Sequence, residues 1–140
     1  MKMHFAGPRG GELPIGLQAM AQLVGQSFLR QLGINRLRGN ILVRLHNALT
    51  VDGGSSEGLC ECVDSRNFIV DVAMWGNWMS TLAHEFVHVK QFARSELSEN
   101  MTRWKSNRYA GDIEYWDQPW EKEARRLQHK MVWRFESENQ

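Results

Sequence analysis

Apolar positions along this chain change their period several times, and each change marks an element. Leu17, Met20, Ala21, Val24 and Phe28 recur at helical spacing between Pro14 and Gly33, which predicts a core-facing helix over residues 14–32. Ile41, Val43 and Leu45 then alternate with Leu42, Arg44 and His46, the pattern of a strand. Residues 51–58 are rich in Gly and Ser and read as a flexible loop. Two further strands are predicted over 59–63 and 67–73, and the short Asp64-Ser65-Arg66 connection joins them as a hairpin. A helix starting near Asn77 or Ser80 and running to about Ala93 carries Leu82, Phe86, Val89 and Ala93 on one face and His84, His88 and Gln91 on the other. Residues 94–117 are polar, include Trp104 and Tyr109, and hold no sustained period, as in a long loop or broken segment. Pro119 opens a last helix to about residue 136, with Trp120, Ala124, Leu127, Met131 and Phe135 as its buried stripe. The order of helix, strands, helix, loop and helix predicts an α+β fold with a small, mainly antiparallel sheet.

At 140 residues the chain is one domain's worth, spanning 1–140, and its core needs no disulfide staples. A formal charge of +1 excludes a global field that would draw the whole molecule to nucleic acid or to an anionic membrane. Cys60 and Cys62 lie too close along a strand to bridge, so both are expected as reduced thiols in a reducing compartment. No segment has the length and apolarity of a signal peptide or a membrane span. The expected setting is the cytoplasm, with no membrane partner.

The run His84-Glu85-Phe86-Val87-His88 adds chemistry to this frame. Histidines four apart stack on one helix face, so both rings can reach one Zn²⁺ at about 2.0–2.1 Å. Glu85 then leans beside the metal and is the candidate general base for a zinc-activated water. A catalytic zinc takes three protein ligands, so a third must come from elsewhere in the chain. The candidates are His4, His46, His129, Glu114, Asp117, Glu121 and Glu123. If the last helix packs antiparallel to the motif helix, its first turn reaches back to the metal. Glu121 and Glu123 both sit there but point about 200° apart, so at most one ligates. Glu121 shares a face with Ala124, Arg125 and Gln128 beside the apolar stripe, whereas Glu123 falls toward the polar flank. Without ligation, either Glu would serve the helix start by capping or by favouring its dipole, with Glu123 at the surface.

His84 to Gln91, followed by Pro119-Trp120-Glu121-Lys122-Glu123-Ala124-Arg125, resembles the small zincin metallopeptidases of SprT-like and gluzincin type, including phage and bacterial members. The resemblance spans roughly residues 58–128. It implies a Zn²⁺ cofactor, hydrolysis of peptide bonds as an endopeptidase, and Glu121 as third ligand, because gluzincins place a glutamate in an E-x-x-A-D type sequence. Arg125 stands where that pattern has its aspartate. SprT-like proteins proper use a third histidine, for which His129 would stand in. The resemblance also implies that the strand 67–73 forms the upper edge of the cleft and pairs with an extended peptide or protein substrate. Asp71 on that strand is expected to be exposed or to line the cleft. Tyr109 and Tyr115 lead into the third-ligand helix, and Tyr115, nearer Glu121, is the candidate donor to an oxyanion. The leading expectation is a monomeric zinc metallopeptidase. The alternative is a DNA-associated or partner-binding module with a structural or vestigial metal site, for which Lys90, Arg94, Arg103, Lys105 and Arg108 around the long loop would contact phosphates.

Overall fold

A computed structural model describes residues 1–51, 54–109 and 113–140 of the chain. The α+β architecture is as expected, but its sheet is mixed. Strand β1 (Lys2–Ala6) leads into helix α1 (Ile15–Leu32), then β2 (Asn40–His46), a short antiparallel pair β3 (Leu49–Val51) and β4 (Gly54–Ser56), and the hairpin β5 (Gly58–Asp64) and β6 (Asn67–Ala73). Helix α2 (Trp78–Ala93), the two-residue strands β7 (Arg103–Trp104) and β8 (Asn107–Arg108), a 3₁₀ turn at Tyr115–Asp117 and helix α3 (Pro119–Glu138) complete the order. Among the described residues no helix is long and apolar enough to cross a membrane.

The main sheet runs β1-β2-β6-β5, with β1–β2 and β2–β6 parallel and only β5–β6 antiparallel. The expectation of a mainly antiparallel sheet is therefore corrected. Two pairings produce the difference. β1, a strand short enough to read as a tail, is turned back by α1 into a parallel partner for β2 in the manner of a βαβ unit, and β2 in turn lies parallel to β6. A second correction follows from the strand order. Residues 67–73 form an interior strand, hydrogen-bonded on both sides, and the edge strand beside α2 is β5.

Alternation along the strands places Ile41, Val43 and Leu45 with Phe68, Val70 and Val72 on one buried sheet face. They join Val24 and Phe28 of α1, Leu82, Phe86 and Val89 of α2, and Trp120, Met131 and Phe135 of α3 in one core. Phe28 and Phe86 meet edge to face with ring centres 6.4 Å apart, fixing α1 against α2. Met20, expected on the buried stripe of α1, is 43% exposed, and Leu17 is only half-buried. Asp71 lies on the opposite sheet face and is buried, accepting from Arg44 Nε at 2.7 Å and Nη2 at 3.0 Å and pairing with His46 Nε2 at 2.7 Å. It is neither exposed nor part of the cleft. Of the two loops expected from sequence, the Gly/Ser stretch contributes β4 and the 94–117 stretch contributes β7 and β8, while residues 52–53 and 110–112 lie outside the described residues.

Gly39 joins the start of β2 to the β5–β6 hairpin at a φ of 149°, and a Cβ there would stand 2.5 Å from the Arg66 carbonyl oxygen. Backbone cannot yield as a side-chain tip can. Gly39→Ala is therefore expected to cost about 1–3 kcal/mol, read as a lower urea midpoint at unchanged m-value. An unchanged midpoint would show that this junction carries no such constraint.

Candidate metal centre

Asn77 starts α2 by accepting the Ser80 N–H at 3.3 Å, so the helix begins about one and a half turns before the first motif histidine. His84 and His88 stack one turn apart, their ring centres separated by 5.0 Å. Pro119 sets the first position of α3, so Glu121 sits in its first turn, and the packing of α3 on α2 brings that turn onto the histidine pair. Glu121 Oε2 lies 2.9 Å from His84 Nε2, and Oε1 lies 2.8 Å from His88 Nε2. The three ligand atoms fall within 4.8 Å of one another, the metal-suited group found among the described residues.

Both rings are oriented from behind by glutamines. His84 Nδ1 faces Gln128 Oε1 at 2.5 Å, and His88 Nδ1 faces Gln91 Oε1 at 2.7 Å. An amide oxygen only accepts, so each Nδ1 carries the proton and each Nε2 presents its lone pair to Glu121 when the ring is neutral. Two nitrogen lone pairs and a carboxylate facing one another in a buried site require a cation between them. In the metal-free molecule a proton on each Nε2 supplies it, one at each contact with Glu121. Zn²⁺ fits the same place, because two neutral imidazoles and one carboxylate are a known donor set of catalytic zinc.

The electrostatics follow from this contact. Burial opposes the charged form of Glu121, yet hydrogen bonds from His84, His88 and Tyr115 outweigh it and hold the carboxyl well below the usual range. Burial likewise opposes His88 protonation, but Glu121 and then Glu85 push its pKa up to about 9. His84 is raised for the same reason, through Glu121 and Glu85. Glu85 moves the other way from Glu121: burial raises its pKa, against the neighbouring histidines.

Glu85 lies under the start of the edge strand. A Cβ on Gly58 would meet Glu85 Oε2 at 3.0 Å and Thr81 Cγ2 at 2.6 Å, so β5 passes this close to the carboxylate only because position 58 has no side chain. A cleft of about 660 Å³ opens there, lined by Gly58, His84, Glu85, Tyr115, Trp116 and Gln128 among others. Tyr115 is half exposed and bonded to Glu121, and burial with the Glu121 charge pushes its phenol up, so it stays a neutral donor. Arg125, whose position would carry an aspartate in an E-x-x-A-D pattern, donates to the Trp116 carbonyl at 2.7 Å and lies 4.5 Å over the Trp116 ring. It holds the cleft lip rather than a histidine.

The other expected candidates lie elsewhere. Glu123 is not a surface residue: its carboxylate pairs with Lys90 at 3.0 Å and Lys105 at 3.8 Å and accepts from Gln91 at 3.2 Å. His129 is exposed at the cleft rim, near Gln128 rather than in the ligand group. His46 pairs with Asp71, Tyr109 packs edge-on against Trp120, and Arg94 donates to the Gly33 carbonyl. Cys60 and Cys62 are unbridged, and burial followed by the Glu85 charge keeps Cys60 a thiol. Sequence reasoning grouped Gln91 and Gln128 with the ligand faces but assigned neither a role. The available signals were spacings: Gln91 three residues after His88, and Gln128 seven after Glu121.

No protein-family model matches the chain, and comparisons with curated proteins and with solved structures also return no match.

Zinc stoichiometry on Glu121→Ala, Glu123→Ala and His129→Ala names the third ligand. Loss of zinc is expected in the first alone, and retention there would remove Glu121 from the set. The metal-free protein should also show a pH signature. His88 has its pKa raised from 6.5 to about 9, so its contribution is complete below pH 6.5 and is lost as pH rises through 9. Glu121 is lowered from 4.5, so its contribution is complete above pH 4.5 and is lost on acidification. Both are present between 4.5 and 6.5, and urea midpoints should decline from about pH 6.5 to 9.5 as His88 deprotonates. A flat profile across that range would contradict the buried charge pair.

Proposed function

We propose that this chain is a zinc-dependent metallopeptidase, with His84, His88 and Glu121 as the metal ligands. The observation that carries the reading is the convergence of two Nε2 atoms and one carboxylate in a buried group, beside a further acid, Glu85, on an open cleft. Zn²⁺, when bound there, supplies a Lewis acid that polarises a peptide carbonyl and makes a water acidic enough to lose a proton near neutral pH.

The chain's own residues account for the remaining steps. Glu85 takes the proton of the attacking water and passes it to the departing amine nitrogen. Burial disfavours its charged form, which suits a group that must hold a proton briefly before giving it up. Tyr115, whose phenol donates to Glu121 in the free protein, would turn that one O–H to the carbonyl oxygen as it gains charge. The peptide adds along the outer edge of β5, not along residues 67–73, whose both edges are already paired. Gly58 brings that edge next to Glu85, so a main chain bound there passes the base. We place the protein in the cytoplasm, since two unbridged thiols on an edge strand suit a reducing compartment.

Glu85→Gln keeps the size and hydrogen bonding of the side chain but removes its basicity. The variant is expected to bind one zinc per chain while cleavage of an unstructured protein substrate falls by about 10²–10⁴-fold. Undiminished cleavage would exclude Glu85 as the base.

A further inference from the structure

We propose that the two glutamines behind the histidines are not equivalent: Gln91 is a positioning residue that must be an amide, with Glu123 as its anchor, whereas at Gln128 a carboxylate would serve. Gln91 is fully buried, and every polar atom of its side chain is committed. Nε2 donates to the Trp120 carbonyl at 2.9 Å and to Glu123 Oε1 at 3.2 Å, which uses both N–H groups. Oε1 is thereby turned to His88 Nδ1 at 2.7 Å. The reversed amide would set an N–H against Nδ1, draw the ring proton to Nε2 and cover the nitrogen that faces Glu121. Glu123 is itself held by Lys90 at 3.0 Å. The chain of contact thus runs from Lys90 through Glu123 and Gln91 to His88.

A carboxylate at position 91 would still accept from His88, but it would also face the Trp120 carbonyl and the Glu123 carboxylate. Three acceptors would then meet where the nearby donor, Lys90, already serves Glu123, and the new carboxylate would face the Trp120 carbonyl with nothing between them. Gln128 has no such obligation, since among the described residues its Nε2 has a single contact, 3.4 Å to the exposed His129. A carboxylate there gives up little and makes His84 a more basic ligand. Chemically identical replacements should therefore act in opposite directions.

The test compares Gln91→Glu, Gln128→Glu, Glu123→Gln and the double variant that combines the first with the third, all in the full chain. Zinc affinity is read by competition with a chromophoric chelator. Gln91→Glu is expected to weaken zinc about 10- to 100-fold, and Gln128→Glu to match or exceed wild type. The double variant places an amide donor at position 123 opposite the new carboxylate and should recover most of the loss, a rescue that a merely structural role for Gln91 does not produce. Equal effects of the two glutamate replacements, or no rescue, would overturn the proposal. The zinc measurement rests on the metallopeptidase reading, so urea midpoints of the metal-free proteins are measured beside it. They should fall for Gln91→Glu, recover in the double variant and hold for Gln128→Glu. A wild type that binds no zinc but keeps this urea pattern would remove the metal centre and retain the role of Gln91, whereas a midpoint unmoved by Gln91→Glu would refute that role directly.

Discussion

The carboxylate of Glu121 stands between two imidazole nitrogens at the α2–α3 interface, and the arrangement of the cleft depends on that contact. Buried charges of this kind are costly unless each is met by an opposite charge and a hydrogen bond. Here both oxygens of Glu121 are met by ring nitrogens at 2.8 and 2.9 Å, and the far side of each ring is met by a glutamine oxygen. The cluster is complete as a hydrogen-bonded unit only when a cation sits among the three inner atoms. Protons on the two Nε2 atoms fill that role in the metal-free molecule, and they have to leave before a divalent metal can take their place.

Such a contact demands a helix buried on two sides. One side of α2 presents Leu82, Phe86 and Val89 to the sheet and α1, while the other turns His88 and Gln91 to α3, and all five are buried. α3 answers with Trp120 and Ala124 as packing and Glu121 as charge within a single turn and a half. Hydrophobic burial thus sets the distance between the helices, and the polar cluster uses that distance. On the sheet side, β5 and β6 form a hairpin whose edge passes directly over Glu85, so one antiparallel pairing both closes the core and delimits the cleft.

Much of this was legible in the order of residues. Helical periodicity located α1, α2 and α3 within a residue or two of their ends, because amphipathic stripes and the Pro14, Gly33 and Pro119 signals are local. The β5–β6 hairpin was legible for the same reason, its connection being only two residues long. The position of β6 in the sheet was not. Whether a strand is interior or edge depends on which distant strand lies beside it, and β6 is interior because β2 pairs with it in parallel. Asp71 shows the consequence: an acid in an apolar strand reads as exposed until Arg44 and His46 of the neighbouring strand are seen to meet it.

Glu121 and Glu123 mark the boundary between the two kinds of information. Sequence alone determined that two histidines share a helix face, that Glu85 sits beside them, and that at most one of the two first-turn glutamates can point toward them, since these are properties of a single helix turn. Tertiary structure decided the rest. The docking of α3 selected Glu121 to face the histidines, sent Glu123 to Lys90 and Gln91, and turned both Nδ1 atoms toward amide oxygens. Such choices depend on the relative register of two helices separated by a long connection, and no short-range pattern of residues encodes that register.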